Sequence, residues 1–213
     1  MDEKDMKRYM KGTTTVGIVC SDGVVVGADS RATMDTFIAS TEARKVWSID
    51  SNLAMTIAGA VGDAQEIIRI LKIQNEIYKM NESRPMSPKS AATLLSIILQ
   101  ENKMMPFYVQ LIVAGVDDDN KGYVYNLDAL GGFTEEKFTS TGSGSLTALG
   151  YLEETYKPTL TIKDGIKVAA RALSIAMRRD SATGNNITVA SITKANGYVE
   201  YTGKELEKAT AQK

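Results

Sequence analysis

The sequence predicts an α+β protein built as a four-layer α/β/β/α sandwich, two antiparallel sheets face to face between helix pairs. Two observations lead there. The texture switches between β-branched short-period runs and 3.6-residue periodicity, in the order strands, two helices, strands, two helices, strands. Blocks of this kind favour stacked antiparallel sheets over strictly alternating βαβ units. The length of 213 residues suits one domain with a sizeable core.

Each element has its own signal. TTTVGIVC at 13–20 and VVVGAD at 24–29 read as strands around the turn Ser21-Asp22-Gly23. Two short strands follow at Lys45–Ile49 and Leu53–Ala58, joined by Asp50-Ser51-Asn52. In Asp63–Tyr78, Ile67, Ile70, Leu71 and Ile77 fall on one helical face. Ser87-Pro88 opens a second helix carrying Ala91, Leu94, Leu95 and Ile98 at the same spacing, with proline in the first turn. VQLIVAGV at 109–116 and GYVYNLD at 122–128 flank the polar loop 117–121, and FTSTGS at 138–143 adds another strand. A helix is expected from Ser145 to about Tyr156 and a second over Lys163–Arg179, where Ile166, Ala169, Ala170, Leu173, Ala176 and Met177 keep strict order. NITVASIT and YVEYT close the fold as strands, and Lys204–Lys213 reads as a polar tail. No internal repeat and no low-complexity segment interrupts this pattern.

Composition narrows the chemistry. With 25 basic and 26 acidic residues the net charge is −1, so there is no nucleic-acid signature. No apolar run approaches the roughly 18 residues that span a bilayer. Cys20 is the one cysteine, which rules out an internal disulfide, a CxxC motif and multi-cysteine zinc sites, and fits a reducing, cytoplasmic compartment. Histidine is absent altogether. That removes Ser-His-Asp triads, Cys-His dyads and HExxH sites, so any acid–base catalysis near neutral pH needs a different base.

Thr13 opens the run Thr13-Thr14-Thr15-Val16-Gly17, which strand preference alone would explain. The same residue has the make-up of an N-terminal nucleophile. A free α-amine with a reference pKa of about 7.7–8.0 is a base for its own hydroxyl. This needs cleavage of the Gly12–Thr13 bond, and the glycine suits a tight turn there. The charged stretch MDEKDMKRYMKG has no apolar segment of a secretory signal and reads as a short solvated extension. Lys45, ordinarily a surface residue, would beside Thr13 hold developing negative charge, with Asp29 available as its carboxylate partner or as a plain turn former. The glycine-rich junction at Gly59 and Gly62 fits helix capping, an oxyanion donor or an anion site. Gly142-Ser143-Gly144-Ser145 fits helix capping. Asp180-Ser181-Ala182-Thr183-Gly184 would end a helix or orient an amine. Asp117–Gly122 resembles a calcium loop only superficially, because Lys121 occupies a ligand position, and no metal is required.

In this order and with these gaps, GTTTVG at 12–17, Asp29-Ser30-Arg31-Ala32-Thr33, Lys45, MTIAGAVGDAQ at 55–65, STGSGS at 140–145 and RRDSATG at 178–184 resemble the proteasome β-subunit family, archaeal type, over nearly the whole chain. The resemblance implies the N-terminal nucleophile hydrolase fold and a cytoplasmic threonine endopeptidase that degrades unfolded proteins to peptides without a cofactor. It implies residues 1–12 as a propeptide removed by autocatalysis and 13–213 as the catalytic domain. It also implies four stacked seven-membered rings, the outer pair of α-type subunits, served by an unfolding ATPase acting through the α ring. By position, Thr13 matches the nucleophile, Asp29 and Lys45 its charged support, and Gly59 the oxyanion donor. Ser143, Asp180 and Thr183 match the group ordering the α-amine, although the family commonly has serine where Thr183 stands. Thr33 matches a residue whose backbone pairs with extended substrate. Ala32, Ile57 and Val61 match the specificity pocket; being small or apolar, they lead to an expected preference for cleavage after hydrophobic residues. The competing readings are a non-catalytic ring subunit of the same fold, the bacterial two-ring relative or another N-terminal nucleophile amidohydrolase, and last a nucleotide-binding domain.

Overall fold

The computed structural model describes residues 12–34 and 36–211; of the extension expected over 1–12, all but Gly12 lies outside the described residues, as do the last two residues. Strands β1 (Thr15–Cys20) and β2 (Gly23–Asp29) form a hairpin over Ser21-Asp22, with Cys20 opposite Gly23 and Thr15 opposite Ala28. They sit inside a five-stranded antiparallel sheet completed by β10 (Phe138–Thr141), β11 (Ile187–Thr193) and β12 (Gly197–Thr202), in the order β10-β1-β2-β11-β12. A second antiparallel sheet is a meander of β5 (Val46–Asp50), β6 (Leu53–Gly59), β7 (Val109–Val116), β8 (Gly122–Leu127) and β9 (Phe133–Glu136). Helices α1 (Val61–Glu82) and α2 (Pro88–Glu101) cover that sheet, while α3 (Ser145–Thr155), α4 (Ile162–Met177) and α5 (Gly203–Ala211) cover the first.

Three apolar layers hold the sandwich, and strand alternation distributes them. Val16, Ile18 and Cys20 face α3 and α4 with Val25, against Ala148, Leu152, Ile166 and Leu173. Val24, Val26 and Ala28 point between the sheets to meet Ala54, Ile112, Ala114, Val124 and Ala190. Leu53, Met55 and Ile57, with Leu111 and Val113, lie under Ile67, Leu71, Leu95 and Leu99 of the first helix pair. Because β2 is buried on both faces, its VVV run is continuous rather than alternating.

The structure departs from the sequence reading at particular places. Helix α1 starts earlier and ends later than Asp63–Tyr78, closing on Ser83 in the left-handed conformation with φ 56°. Its buried face runs through Ile67, Ile68, Leu71 and Asn75, leaving Ile77 exposed. Asn75 takes a core position because its amide donates to Asp50 Oδ2 (2.7 Å) and accepts the Met86 N–H (3.1 Å). The hairpin of β3 (Ala32–Met34) and β4 (Phe37–Ser40), and strand β9, were not expected; three- and four-residue strands are too short to show a period. The supposed polar tail is largely helix α5, anchored by the buried Leu206. The 117–121 segment is the β7–β8 hairpin turn, as expected, with the Asn120 N–H bonded to Asp117 O.

Candidate active site

Hairpin register places the first part of the site. Thr15 stands opposite Ala28, so Thr14 lies beside Asp29 and donates its N–H to Asp29 Oδ1 (2.9 Å). Lys45 arrives from the other sheet, one residue before β5, its carbonyl accepting the Ile57 N–H (3.1 Å). Its Nζ reaches the same Asp29 Oδ1 at 2.7 Å, and the two side chains are only 7% and 0% exposed. The other oxygen, Oδ2, accepts the N–H groups of Arg31 (3.0 Å) and Gly184 (2.9 Å). Four donors therefore surround one buried carboxylate, which is what an ionised group needs in the absence of water. Burial pushes the Lys45 ammonium below its ordinary value, and Asp29 opposes that fall.

Thr13 is itself buried. Its hydroxyl donates to the Gly12 carbonyl oxygen at 2.7 Å, and its N–H donates to Ser143 Oγ at 3.2 Å. Gly142 makes this approach feasible: φ is +92°, and a Cβ there would lie 2.1 Å from Thr13 O. The Ser143 and Thr183 hydroxyls both donate to Asp180 Oδ2, each at 2.5 Å. Since Thr183 has one hydroxyl proton and commits it to Asp180, the Thr14 hydroxyl is the donor in the 2.7 Å contact with Thr183 Oγ. Asp180 sits just past α4, with its N–H on Ala176 O. Turn and side-chain network thus coexist in RRDSATG.

A cavity of about 410 Å³ opens beside Thr13. Ala32, Trp47, Ile57, Val61, Ala64 and Ile68 supply apolar wall, and Lys45 and Gly59 border it. Gly59 has φ +131°, and a Cβ would meet Tyr108 O at 2.0 Å, so only glycine fits. Thr33, expected to pair with extended substrate through its backbone, lies on β3 and contacts Gly12 by its side chain: the Gly12 N–H donates to Thr33 Oγ1 at 3.1 Å. Among the described residues, no cluster of metal-ligating side chains is present and no helix is long and apolar enough to cross a membrane.

A family described as "Proteasome subunit" matches residues 9–192 of this sequence. The chain belongs to the proteasome subunit family. Among curated proteins it is 49% identical over 191 residues to the proteasome subunit beta of Methanosarcina barkeri, covering 89% of this chain and 90% of that one. It is 49% identical over 202 residues to that of Methanococcus aeolicus, and 48% over 202 residues to that of Archaeoglobus profundus, covering 94% of this chain and 93% of each of them. These agreements put the chain on the β side of the proteasome family, among protease subunits that assemble with other proteasome subunits.

The proteasome fold also brings in residues that sequence reasoning did not single out. Thr14 was visible only as part of a threonine run, yet its amide and hydroxyl tie Asp29 to Thr183. Arg31 donates from Nη1 to Ser181 O (2.8 Å) and from Nε to Asn185 Oδ1 (2.9 Å), pinning the turn that carries Asp180 and Thr183. Gln110 accepts the Gly142 N–H at 2.9 Å. Only Arg31 carried a usable signal, a charged residue inside a motif of otherwise small side chains.

Proposed function

We propose that this chain is the catalytic β subunit of a proteasome core particle, with Thr13 as an N-terminal nucleophile released from a propeptide of residues 1–12. The observation carrying this reading is the Thr13 hydroxyl held 2.7 Å from the carbonyl oxygen of Gly12, next to the Lys45–Asp29 pair. Thr13 Oγ adds to the Gly12 carbonyl carbon. As the C–N bond breaks, the hydroxyl proton passes to the departing nitrogen, leaving an ester on Thr13 and a free α-amine. Water hydrolyses the ester to the Gly12 carboxylate and restores the hydroxyl.

The released amine is then the general base for the same hydroxyl, with Ser143 and Asp180 orienting it as they orient the amide now. In peptide hydrolysis Thr13 Oγ attacks the substrate carbonyl, the Gly59 N–H stabilises the oxyanion, and the departing amine takes the proton. Water then cleaves the acyl-enzyme. Lys45, kept charged by Asp29, favours the ionised form of the attacking oxygen. The apolar cavity wall supports preference for hydrophobic side chains before the scissile bond, and Thr33 marks where the chain preceding that bond lies. Heptameric β rings between α-type rings, fed by an unfolding ATPase in the cytoplasm, complete the reading: an unspecific protease is safest with its sites enclosed.

The test is intact mass and N-terminal sequence of the chain before and after co-assembly with an α-type ring, for wild type and Thr13→Ala. Loss of residues 1–12 in the wild type alone, with peptidase activity following it, supports the reading. An uncut terminus in a fully assembled, active particle overturns it.

A further inference from the structure

The cavity beside Thr13 is not wholly apolar, for Arg44 is among the residues that line it. An unneutralised arginine there would attract acidic side chains. Three contacts hold it instead. Its Nη2 donates to Glu200 Oε2 at 2.9 Å, its Nε donates to Val46 O at 3.0 Å, and its Cζ lies 5.1 Å from the centre of the Trp47 ring, another wall residue. Glu200 comes from β12, at the edge of the opposite sheet, and the Tyr198 hydroxyl donates to the same Oε2 at 2.6 Å. One carboxylate oxygen is thus clamped by a phenol on one side and faces the guanidinium on the other. Desolvation of the Tyr198 hydroxyl, and then its hydrogen bond to the charged Glu200, raise it above its ordinary range, so the phenol stays a donor at working pH.

We infer that Glu200 is a specificity-determining residue: by neutralising Arg44 it keeps the cavity selective for uncharged side chains, and without it Arg44 would accept a substrate carboxylate. This rests on the reading of the cavity as the pocket for the side chain before the scissile bond. The argument is one of competition. Arg44 is half exposed, with 53% of its side chain accessible, so the guanidinium has room to turn toward a ligand once Oε2 no longer holds it. A carboxylate entering the wild-type cavity must displace Glu200 or share Arg44 with it, and like charges brought together at one guanidinium repel. Both sides of the exchange are charge-assisted hydrogen bonds, so removing Glu200 favours the acidic substrate alone.

The experiment compares kcat/KM of the processed, assembled particle for matched peptides with Glu or Leu before the scissile bond. Wild type, Glu200→Gln, Glu200→Ala and the double variant Glu200→Gln/Arg44→Met are measured at low and high salt. The Glu-to-Leu ratio is expected to rise about tenfold in both single variants, the size of one charge-assisted hydrogen bond gained by one substrate only. That gain should shrink at high salt, as befits a half-exposed charge, and vanish in the double variant. A ratio within twofold of wild type in both single variants overturns the inference, as does a raised ratio that persists without Arg44. Failure of the underlying reading looks different: Ile57→Ala, which enlarges the cavity wall, would then leave kcat/KM for the Leu peptide unchanged.

Discussion

Replacing Asp29 with asparagine tests the centre of the site most sharply, because the side chains are nearly isosteric and every partner of the carboxylate is known. Oδ1 faces the Thr14 N–H and the Lys45 ammonium; Oδ2 faces the Arg31 and Gly184 N–H groups. An asparagine must turn its NH₂ toward one of these pairs, leaving two buried donors opposed by a third. Each unsatisfied buried donor costs about 1–3 kcal/mol. If the NH₂ faces Arg31 and Gly184, Lys45 keeps an oxygen but loses its counter-charge, and breaking a buried ion pair from one side costs about 3–5 kcal/mol. The expected loss for Asp29→Asn is therefore about 3–5 kcal/mol, read from denaturant midpoints, together with loss of Gly12–Thr13 cleavage. The pH dependence has a definite sign. Burial already lowers Lys45, and removing Asp29, the group that opposes this, lowers it further. Between the variant's folded value and the wild-type one, the variant's native state has released a proton that the wild-type native state still holds. The stability gap therefore narrows as pH rises through that window. A gap below about 1 kcal/mol, or one that widens with pH there, would refute the reasoning.

Thr56 is fully buried with no partner for its hydroxyl, so Thr56→Val should stabilise the chain by about 1 kcal/mol, visible as a higher denaturant midpoint. Gly59→Ala drives a Cβ to 2.0 Å from Tyr108 O at φ +131°; soluble, assembled protein should fall sharply on native gels. Burial raises Asp50, but hydrogen bonds from Asn75, the Ser51 N–H and Lys79 outweigh it and hold the carboxyl below its ordinary value. Its share of stability is present above the unfolded carboxylate value and disappears as pH falls through the lowered folded one, so Asp50→Asn should flatten the acid limb of a stability–pH curve. Thr183→Ser keeps the hydroxyl on Asp180 and should retain peptidase activity, whereas Thr183→Val leaves the Thr14 hydroxyl without its acceptor and should cost about tenfold or more in kcat.

What the sequence disclosed and what it withheld divide along a physical line. Burial of apolar side chains leaves a local signal, so the four layers and both outer helix groups were legible from the β-branched runs of β1 and β2 around their turn and from the 3.6-residue spacing in α4. Burial of polar side chains leaves no period, since it depends on partners elsewhere in the chain. Asn75 carried no core signal in the sequence because its partners, Asp50 and Met86, come from other elements. Half of the candidate site nevertheless follows from local rules. The two-residue turn Ser21-Asp22 sets Cys20 against Gly23; counting back five pairs puts Thr15 against Ala28, and Thr14 beside Asp29. The other half does not follow. Lys45 crosses from the second sheet, and Asp180 arrives at the end of α4, 37 positions beyond Ser143. No spacing within one element relates those residues, and family resemblance could name them without saying why they meet. The stacking of the sheets gives the reason. Lys45 immediately precedes the edge strand of one sheet, over the end of β2 in the other, and Gly184, next to Thr183, donates its N–H to the same carboxylate that holds Lys45. Asp29 is therefore where β2, the approach to β5 and the turn after α4 are tied together, and a change there should disturb both the lysine and the amine-ordering side of the site.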